Sequence, residues 1–366
     1  KALSYRSNYP EAMSTLALSL ASQGRFHEAI PIYKSYLEFS PNDHKTRFNL
    51  AMSLLTTENF EEGWQRYEDG ILSGKRDVNY YPNVEVWNGD TLRNKHLHII
   101  GEQGIGEQIM FSTVLPDLKT SGASLSMEVD HRLTPIFSRS LADVTVVDRG
   151  LGSDILVEDS DSHRQIAAGS MIKFLRKKTE FFHPISSSLV PDAKRVSEIK
   201  SRYNKLGHGP KVGISWKTSS PIRTQLRCIP LRDWVPILSA FEGHFVSLQY
   251  GEVNTEVNDL HKLSGFDVHV DPFINQLESI EDSLAQIAAM DLVVSISNST
   301  VHLAGSCGVR TLVMLEKAPH WHWFLNREDC LWYQNIEFFR QKEQGKWSEV
   351  IEETAIAASQ WYKLIS

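Results

Sequence analysis

The segment GEQGIGEQIMF (101–111) has three glycines within six residues, then an acidic residue, Glu107, and an apolar run. It directly follows the apolar segment LHII, which ends at residue 100. It could be a loop that cradles a phosphate, an acid placed over a substrate, or a tight turn. Its G-x-x-G-x-G spacing differs from the dinucleotide-binding fingerprint G-x-G-x-x-G, so spacing alone does not identify a phosphate loop.

A second polar segment follows the apolar run that begins at Asp291, and a helical pattern starts directly after it, near Val301. Backbone N–H groups and the positive end of the helix dipole make such a turn a candidate pyrophosphate site. His302, in the first turn, is a candidate hydrogen-bond partner for phosphate. The alternative is that these are the N-cap residues that any helix prefers. The turn consists of Ser297, Asn298, Ser299 and Thr300.

Three cations follow the apolar segment KVGISW (211–216): Lys217, Arg223 and Arg227. Cations just beyond a strand of the same sheet as the SNST turn would face the same cleft, where they can neutralise a diphosphate. The alternative is a solvated loop.

The segment HWHW (320–323) contains a His-x-His pair, a pattern compatible with metal binding. Because no acidic or cysteine ligands stand at a suitable spacing, we favour packing near the cleft and predict no metal site. Three nearby charged residues are candidates for a structural ion network: Arg327, Asp329 and Arg340.

These segments need elements to position them, and from about residue 85 short apolar runs alternate with helix-length segments. This pattern is typical of parallel strands buried on both faces, so we predict two doubly wound halves with a ligand cleft at the strand carboxyl ends. The predicted strands are LHII (97–100), SLSMEV (124–129), VTVV (144–147) and DILV (154–157), then KVGISW (211–216), HFVSLQ (244–249), DLVVSIS (291–297) and RTLVML (310–315).

Two further segments complete the predicted α/β region. LGHGP (206–210) is rich in glycine and is the candidate linker between the halves. WSEVIEETAIAASQWYKLI (347–365) has helical apolar spacing without Gly or Pro, and it predicts a closing helix with the first half as a candidate docking surface.

The N-terminal region is an internal repeat with an offset of 34 residues. This period, with small residues at helix crossings and Pro41 after the first unit, resembles the tetratricopeptide repeat. Because such arrays usually need three or more repeats, either upstream repeats have been removed or the pair packs its open end against the rest of the chain. The matched pairs are Leu16/Leu50, Ala17/Ala51, Leu20/Leu54, Phe26/Phe60, Ala29/Gly63 and Tyr33/Tyr67.

Composition excludes several classes of protein. The 366 residues are enough for two or three domains, with 41% hydrophobic and 23% charged residues. A net charge of −7 without a basic tract argues against nucleic acid as the main partner. No apolar run reaches the roughly 20 residues that span a bilayer. Cys228, Cys307 and Cys330 lack metal-like spacing and suggest a reducing compartment, so we expect a cytoplasmic protein.

Three segments together resemble heptosyltransferase-like glycosyltransferases of family 9, which have the GT-B fold. SNSTVHLAGSCGVRTLVML is similar to their donor-site segment, and RCIPLRDW places Arg227 where they carry a phosphate-contacting cation. GIGEQIMFSTVLPDL (104–118) resembles their N-terminal Gly-Asp loop and helix, with Glu107 at the acidic position. Ser297 departs from the family, whose members usually carry an acid there, and this leaves open whether donor binding or catalysis is altered in this chain.

The resemblance extends to a bacterial subgroup in which tetratricopeptide repeats precede this region, through PHWHWFLNREDCLWYQNIEFFRQ (319–341). It implies a multidomain α + α/β protein with a GT-B fold of two Rossmann-like domains. The expected domains are the repeats (1–72), an acceptor-side domain (85–205), a nucleotide-sugar donor domain (210–340) and the closing helix (345–366).

The family implies inverting sugar transfer from a nucleotide sugar, which is a co-substrate, without a cofactor or essential metal. Glu107 is the candidate base, although a first-turn acid favoured by the helix dipole is the alternative. Gly104 and Gly106 would bring the backbone close to the cleft. The diphosphate would contact the SNST turn, Lys217, Arg227 and His302, while the nucleoside would meet Gln249, Tyr250 and Glu252.

Three functions remain open at this point. The first is a glycosyltransferase that recruits a protein or peptide acceptor through the repeats. The second is a glycosyltransferase for a lipid or saccharide acceptor, and the third is a binding protein that keeps the fold without turnover.

Overall fold

The computed structural model describes residues 10–150, 162–218 and 224–366. The predicted strand DILV (154–157) and the candidate cation Arg223 lie outside these residues. The described chain opens with four helices that pack in sequence, each on the next, and a short fifth helix follows them. They are α1 (Pro10–Ser22), α2 (Phe26–Phe39), α3 (His44–Thr56), α4 (Phe60–Tyr67) and α5 (Asp69–Leu72).

The repeat seen in the sequence is a repeat of helix pairs. Helices α1 and α3 begin 34 residues apart, and so do α2 and α4. The side chain of Asp43 caps α3 by accepting a hydrogen bond from the Thr46 N–H at 3.1 Å. Matched apolar positions are buried, except that Leu16 is 39% exposed where Leu50 is fully buried. Helix pairs are therefore established, while their membership of the tetratricopeptide family stays a prediction.

The first α/β half contains a four-stranded parallel sheet in the order β3-β2-β1-β4. Three of the predicted strands are confirmed, and β4 was missed because its sequence, HRQIA, is mostly polar. The strands are β1 (His96–Ile100), β2 (Ser124–Val129), β3 (Val144–Asp148) and β4 (His163–Ala167), and the helices are α6 (Ile105–Ser112), α7 (Leu115–Lys119), α8 (Thr134–Ser140) and α9 (Ala168–Leu175).

The second half contains a six-stranded parallel sheet in the order β10-β9-β8-β5-β6-β7. Four strands were predicted, and the short β7 and the aromatic β10 were missed. The strands are β5 (Lys211–Ser215), β6 (His244–Ser247), β7 (Val268–His269), β8 (Leu292–Ile296), β9 (Thr311–Leu315) and β10 (Ile336–Arg340). The helices are α10 (Ala193–Tyr203), α11 (Thr224–Arg227), α12 (Val235–Leu238), α13 (Asn254–Ser264), α14 (Ile280–Ile287), α15 (Ser299–Ser306) and α16 (Ser348–Ile365).

Two helices belong to the second half through their packing. The closing helix α16 was expected to dock on the first half, but it packs on α12 and on β9 and β10 because Trp361 and its neighbours join that hydrophobic core. Helix α10 precedes the predicted linker, yet it packs on α14, and Tyr203 Oη accepts a hydrogen bond from Gln286 Nε2 at 2.8 Å. The exact domain limits stay predictions.

One hydrophobic core extends across the second helix pair and both sheets. It contains Trp64 and Tyr67 of α4, Ile99 of β1 and Val293 of β8, together with Trp321 from the loop after β9. The pair α3–α4 therefore packs against the rest of the chain. Within the three described ranges, no helix is long and apolar enough to cross a membrane.

Candidate functional site

Helix α6 of the first half packs directly against α15 of the second half. The contact is closest at Gly106, where an added Cβ would lie 2.7 Å from Cδ2 of His302. Only a residue without a side chain allows this approach, which explains one glycine of the GIGE segment. The polar segments after β1 and β8 are thus brought together where the two halves meet.

Glu107 lies in the first turn of α6, which follows the N-cap residue Gly104. Its carboxylate is near Gly104, since a Cβ built there would lie 3.1 Å from Glu107 Oε2. Burial raises the pKa of Glu107, and hydrogen bonds from the Glu107 and Gly104 N–H groups and the positive charge of Arg227 oppose this rise. A carboxylate of this kind is a better proton acceptor than a solvated one.

Ser297, at the start of the SNST turn, is held by two side chains. Its Oγ accepts hydrogen bonds from Trp323 Nε1 at 2.8 Å and from Arg227 Nη2 at 3.1 Å. Arg227 Nη2 also donates to the Ser297 carbonyl. Ser297 therefore joins the SNST turn to Arg227, and its hydroxyl is the acceptor where the family usually has an acid.

Asn298 acts as the N-cap of α15. Its Oδ1 accepts the Thr300 N–H at 3.0 Å, and its Nδ2 donates to Ser215 Oγ at 2.8 Å and to the Lys217 carbonyl at 3.3 Å. These bonds tie the ends of β5 and β8 together and use the side chain of Asn298 for structure. Ser299 keeps partial exposure, whereas Thr300 is buried.

Glu316 is an acidic residue of the site that the sequence analysis missed. It is buried, follows β9 directly, and its Oε1 lies 3.4 Å from Arg227 Nε. The signal was present, because a charged residue right after a buried strand is the feature that singled out Lys217. The second half thus places a carboxylate beside Arg227 although Ser297 is not an acid.

Lys217 points away from the SNST turn. Its ammonium group forms an ion pair with Glu256 and donates to the Glu252 carbonyl at 3.0 Å, near the start of α13. These partners occupy the ammonium group in this structure, and the contact of Lys217 with a diphosphate stays a prediction. The direction of a long side chain depends on partners that are distant in sequence, and Glu256 is 39 residues away.

Gln249 is a buried support for the end of β5. Its Oε1 accepts hydrogen bonds from Ser215 Oγ at 3.2 Å, from the Trp216 N–H at 3.0 Å and from the Lys217 N–H at 2.9 Å. These bonds occupy the amide oxygen, and the contact of Gln249 with a nucleoside stays a prediction. Tyr250, the next residue, keeps partial exposure.

His302 is packed inside an aromatic group. Its ring stacks on Trp323 at 4.8 Å, and its Nδ1 lies 3.1 Å from Tyr333 Oη. Burial, with a smaller effect of His320, lowers the pKa of His302 to about 3. His302 is therefore neutral at neutral pH and supplies no positive charge for a phosphate.

The HWHW segment is also packed. Burial lowers the pKa of His322 well below its usual range, and the two Nδ1 atoms of His320 and His322 lie 2.9 Å apart. In the described part of the chain, no three His, Cys, Asp or Glu side chains are grouped so as to hold a metal ion.

The expected ion network of the tail is only partly present. Arg327 pairs with Asp329 at 2.7 Å and with Glu58 of the helix pairs at 3.0 Å. Arg340 instead donates to three backbone carbonyls, those of Trp323, Phe324 and Arg327, at 2.6–2.9 Å. It supports the backbone around Phe324, whose φ of +52° lies in the left-handed region.

Comparisons with known proteins place this geometry in context. No family model matches the chain. The chain is 32% identical over 334 residues to protein FlbA of Caulobacter vibrioides, and the match covers 87% of this chain but 56% of that protein. The chain thus spans little more than half the length of this relative.

Two solved structures share the fold of the α/β region. A family 9 glycosyl transferase from Veillonella parvula aligns with a TM-score of 0.55 at 12% identity, over 76% of this chain and 100% of that one. The ADP-heptose lipopolysaccharide heptosyltransferase II of Escherichia coli aligns with a TM-score of 0.52 at 9% identity, over 74% of this chain and 99% of that one. The two parallel sheets therefore have the architecture of these glycosyltransferases.

Proposed function

We propose that the protein transfers a sugar from a nucleotide-sugar donor to an acceptor hydroxyl. The observation that carries this proposal is the contact of α6 with α15, which brings a carboxylate of raised pKa, Glu107, to the same cleft as Arg227 and the start of α15. A base on one side and a phosphate-binding helix start on the other are what such a transfer needs.

The chemical step assigns one task to each side of the cleft. Glu107 accepts the proton of the acceptor hydroxyl while the hydroxyl oxygen forms a bond to the anomeric carbon of the donor. The bond from that carbon to the diphosphate breaks at the same time, and the electron pair leaves with the nucleoside diphosphate. Attack opposite to the leaving group inverts the anomeric configuration, and Arg227 and the N–H groups of the turn stabilise the charge of the leaving group.

We assign the acceptor to the class of proteins or peptides. Helix pairs of this kind present extended surfaces for chain recognition, and here the second pair adjoins the cleft through Trp64, Tyr67 and Trp321. A lipid or saccharide acceptor, with the helix pairs serving assembly, is the alternative outcome.

A second candidate function is donor binding without turnover. The observation in its favour is that Ser297, held by Trp323 and Arg227, presents a hydroxyl where the resemblance leads us to expect an acid. A change of this kind could leave the donor bound without turnover.

The test begins with thermal unfolding in the presence of UDP-, GDP-, ADP- and CMP-linked sugars. A donor at 100 times its dissociation constant stabilises the folded state by about 2.7 kcal/mol. Transfer is then assayed with that donor by mass spectrometry of candidate acceptor peptides. Binding with transfer supports the enzyme, binding without hydrolysis or transfer supports the second candidate, and no stabilisation by any donor contradicts both.

A further inference from the structure

The loop between β1 and α6 has an unusual backbone. Gln103 has a φ of +60°, in the left-handed region that residues other than glycine seldom adopt. Such a conformation persists only when surrounding contacts hold it. Because α6 follows directly, the contacts that hold Gln103 also fix where Glu107 lies.

Arg76, which follows the helix pairs, binds this loop through the side chain of Glu102. Its Nε and Nη2 donate to the two carboxylate oxygens of Glu102 at 2.8 and 2.7 Å, and both side chains are fully buried. Glu102 also accepts the Gly169 N–H at 2.7 Å, and Arg76 donates to Ser170 Oγ at 2.8 Å. Burial alone would lower the pKa of Arg76, but the charge of Glu102, the neighbouring Tyr67, the hydrogen bond to Glu102 and the charge of Glu68 together raise it above its usual value.

Tyr67, at the end of α4, also contacts this loop. Its hydroxyl accepts a hydrogen bond from Gln103 Nε2 at 2.8 Å, and its ring lies 4.2 Å from the Arg76 guanidinium. The Gln103 carbonyl in turn accepts a bond from Gln108 Nε2 of α6 at 3.3 Å. Tyr67, Gln103 and α6 therefore form one connected set.

The same helix also supports the donor side of the cleft. Trp64 and Tyr67 contact the ring of Trp321 at 5.4 and 5.9 Å. Trp321 begins the short turn that ends at Trp323, whose indole N–H donates to Ser297. Helix α4 thus contacts both Gln103, in the loop before Glu107, and Trp321, in the segment that binds Ser297.

We propose that Tyr67 and Arg76 are positioning residues for Glu107, so that the second helix pair is part of the catalytic scaffold as well as a recognition surface. The inference rests on the proposed function. Tyr67 and Arg76 act on the carboxylate through the backbone of 101–104, and occupation of the helix pairs by an acceptor is thereby linked to the geometry of the base.

The test compares Tyr67→Phe with Tyr33→Phe. Tyr33 is the matched residue of the first helix pair and belongs to the separate core of helices α1–α3. Both substitutions remove only a hydroxyl. We expect Tyr67→Phe to lower kcat by about three- to tenfold, the range of one lost hydrogen bond, to shift the pH at which kcat is half-maximal, and to leave the Kd of the nucleoside diphosphate unchanged. Tyr33→Phe should change none of these.

Hydrogen exchange of the amides at 101–107 gives a readout that needs no substrate. We expect faster exchange there in Tyr67→Phe than in the wild type or Tyr33→Phe. Equal exchange and equal kcat in the two variants would overturn the inference. A wild-type protein without transfer would refute the proposed function, while the exchange result would still report whether Tyr67 holds the loop. Arg76→Lys, which keeps the charge but loses the two-pronged geometry, should show the same pattern more strongly.

Discussion

The pKa of Glu107 depends both on its burial and on the charge of Arg227. Burial makes the carboxylate a stronger base, and the nearby guanidinium keeps part of its negative charge stabilised. The proposed reaction needs a carboxylate whose negative charge is only partly stabilised, since a fully stabilised carboxylate would not take a proton. Glu107 and Arg227 come from different halves, so these opposing effects act together only where the two halves meet.

Glu107→Gln should lower kcat by about 10²- to 10⁴-fold, the usual contribution of a general base. Because the reactive form is the deprotonated carboxylate, wild-type kcat should rise with pH through the raised pKa of Glu107, and this rise should vanish in the variant. Glu61→Gln is the control, since Glu61 is an exposed first-turn acid on α4. Equal losses in both variants would show that Glu107 serves only the helix dipole.

Arg227→Lys should weaken binding of the nucleoside diphosphate by roughly 10- to 100-fold, because a lysine cannot reproduce the planar fork that contacts Ser297 and lies beside Glu316. Isothermal titration calorimetry measures this change. The control is Arg232→Lys, an exposed arginine of the same RCIPLRDW segment. Unchanged affinity in Arg227→Lys would remove Arg227 from the donor site.

The residues of the site differ in how far the sequence could predict them. Glu107 lies in the first turn of a helix and Ser297 directly follows a strand, so local pattern was enough to single them out. Arg227 was singled out as a cation of the loop after β5 and through the resemblance of RCIPLRDW. The bonds of Lys217 and Gln249 were not foreseen, because they depend on partners 32 to 39 residues away. The Arg76–Glu102 pair left no local signal at all, since its members are 26 residues apart and belong to different elements.

Among the elements, uniform apolar runs were predicted well and mixed ones were not. The strands β2 and β9 coincide closely with their predicted runs, because burial on both faces demands such sequences. Strand β4 was missed because Gln165 is buried yet polar. Its amide donates to the carbonyls of Tyr81 and Val84 at 2.8 and 2.6 Å, so a loop supplies the partners that an apolar residue would not need.

The contact of α6 with α15 gives a prediction at the level of elements. Gly106→Ala should destabilise the fold by about 1–3 kcal/mol, because the new methyl group would overlap His302. Urea denaturation measures the loss. In a His302→Ala background the same change should cost clearly less, since the overlapping ring is absent. An equal cost in both backgrounds would mean that the strain lies elsewhere.

At the scale of the whole molecule, the shared core changes how the helix pairs can be studied. Deleting residues 1–72 would remove Trp64 and Tyr67 from the core that also holds Trp321 and Phe324. The loss of a glycosylated partner after such a deletion would then report damage to the cleft as well as loss of recognition. Substitutions at exposed positions of α1 and α3 are the appropriate test of acceptor recruitment.

The second helix pair and the two sheets should unfold together. Tryptophan fluorescence and the part of the far-ultraviolet circular dichroism that comes from α3–α4 and the α/β halves should give coincident urea transitions, because Trp64, Trp321, Trp323 and Trp332 lie in one core shared by the second helix pair and both halves. An earlier loss of helical signal, with the fluorescence of these tryptophans unchanged, would show that the pairs are an independent unit.

The buried histidines make global stability depend on pH. The folded state holds His302 with a pKa of about 3, whereas the unfolded chain has the ordinary value of about 6.5. Between these values the unfolded state binds the extra proton, so the free energy of unfolding should fall as the pH is lowered, by up to about 1.4 kcal/mol per unit for this residue. His302→Gln should reduce the slope of the free energy of unfolding against pH between about pH 5 and about pH 6.5. The exposed control His131→Gln should leave that slope unchanged. Equal slopes in all three proteins would contradict the assignment.

Because the two helix pairs have different surroundings, helices can be added at one end of the array more easily than at the other. The pair α3–α4 reaches the supports of Glu107 and Ser297, so an insertion or loss of helices after it would displace the cleft. The first helix, in contrast, leaves Leu16 and Leu18 exposed at 39% and 47%. Units of 34 residues joined at that end would lengthen the reach of the array toward a partner while the reaction geometry stayed the same, which makes acceptor range and catalysis separately adjustable in a designed or evolved chain.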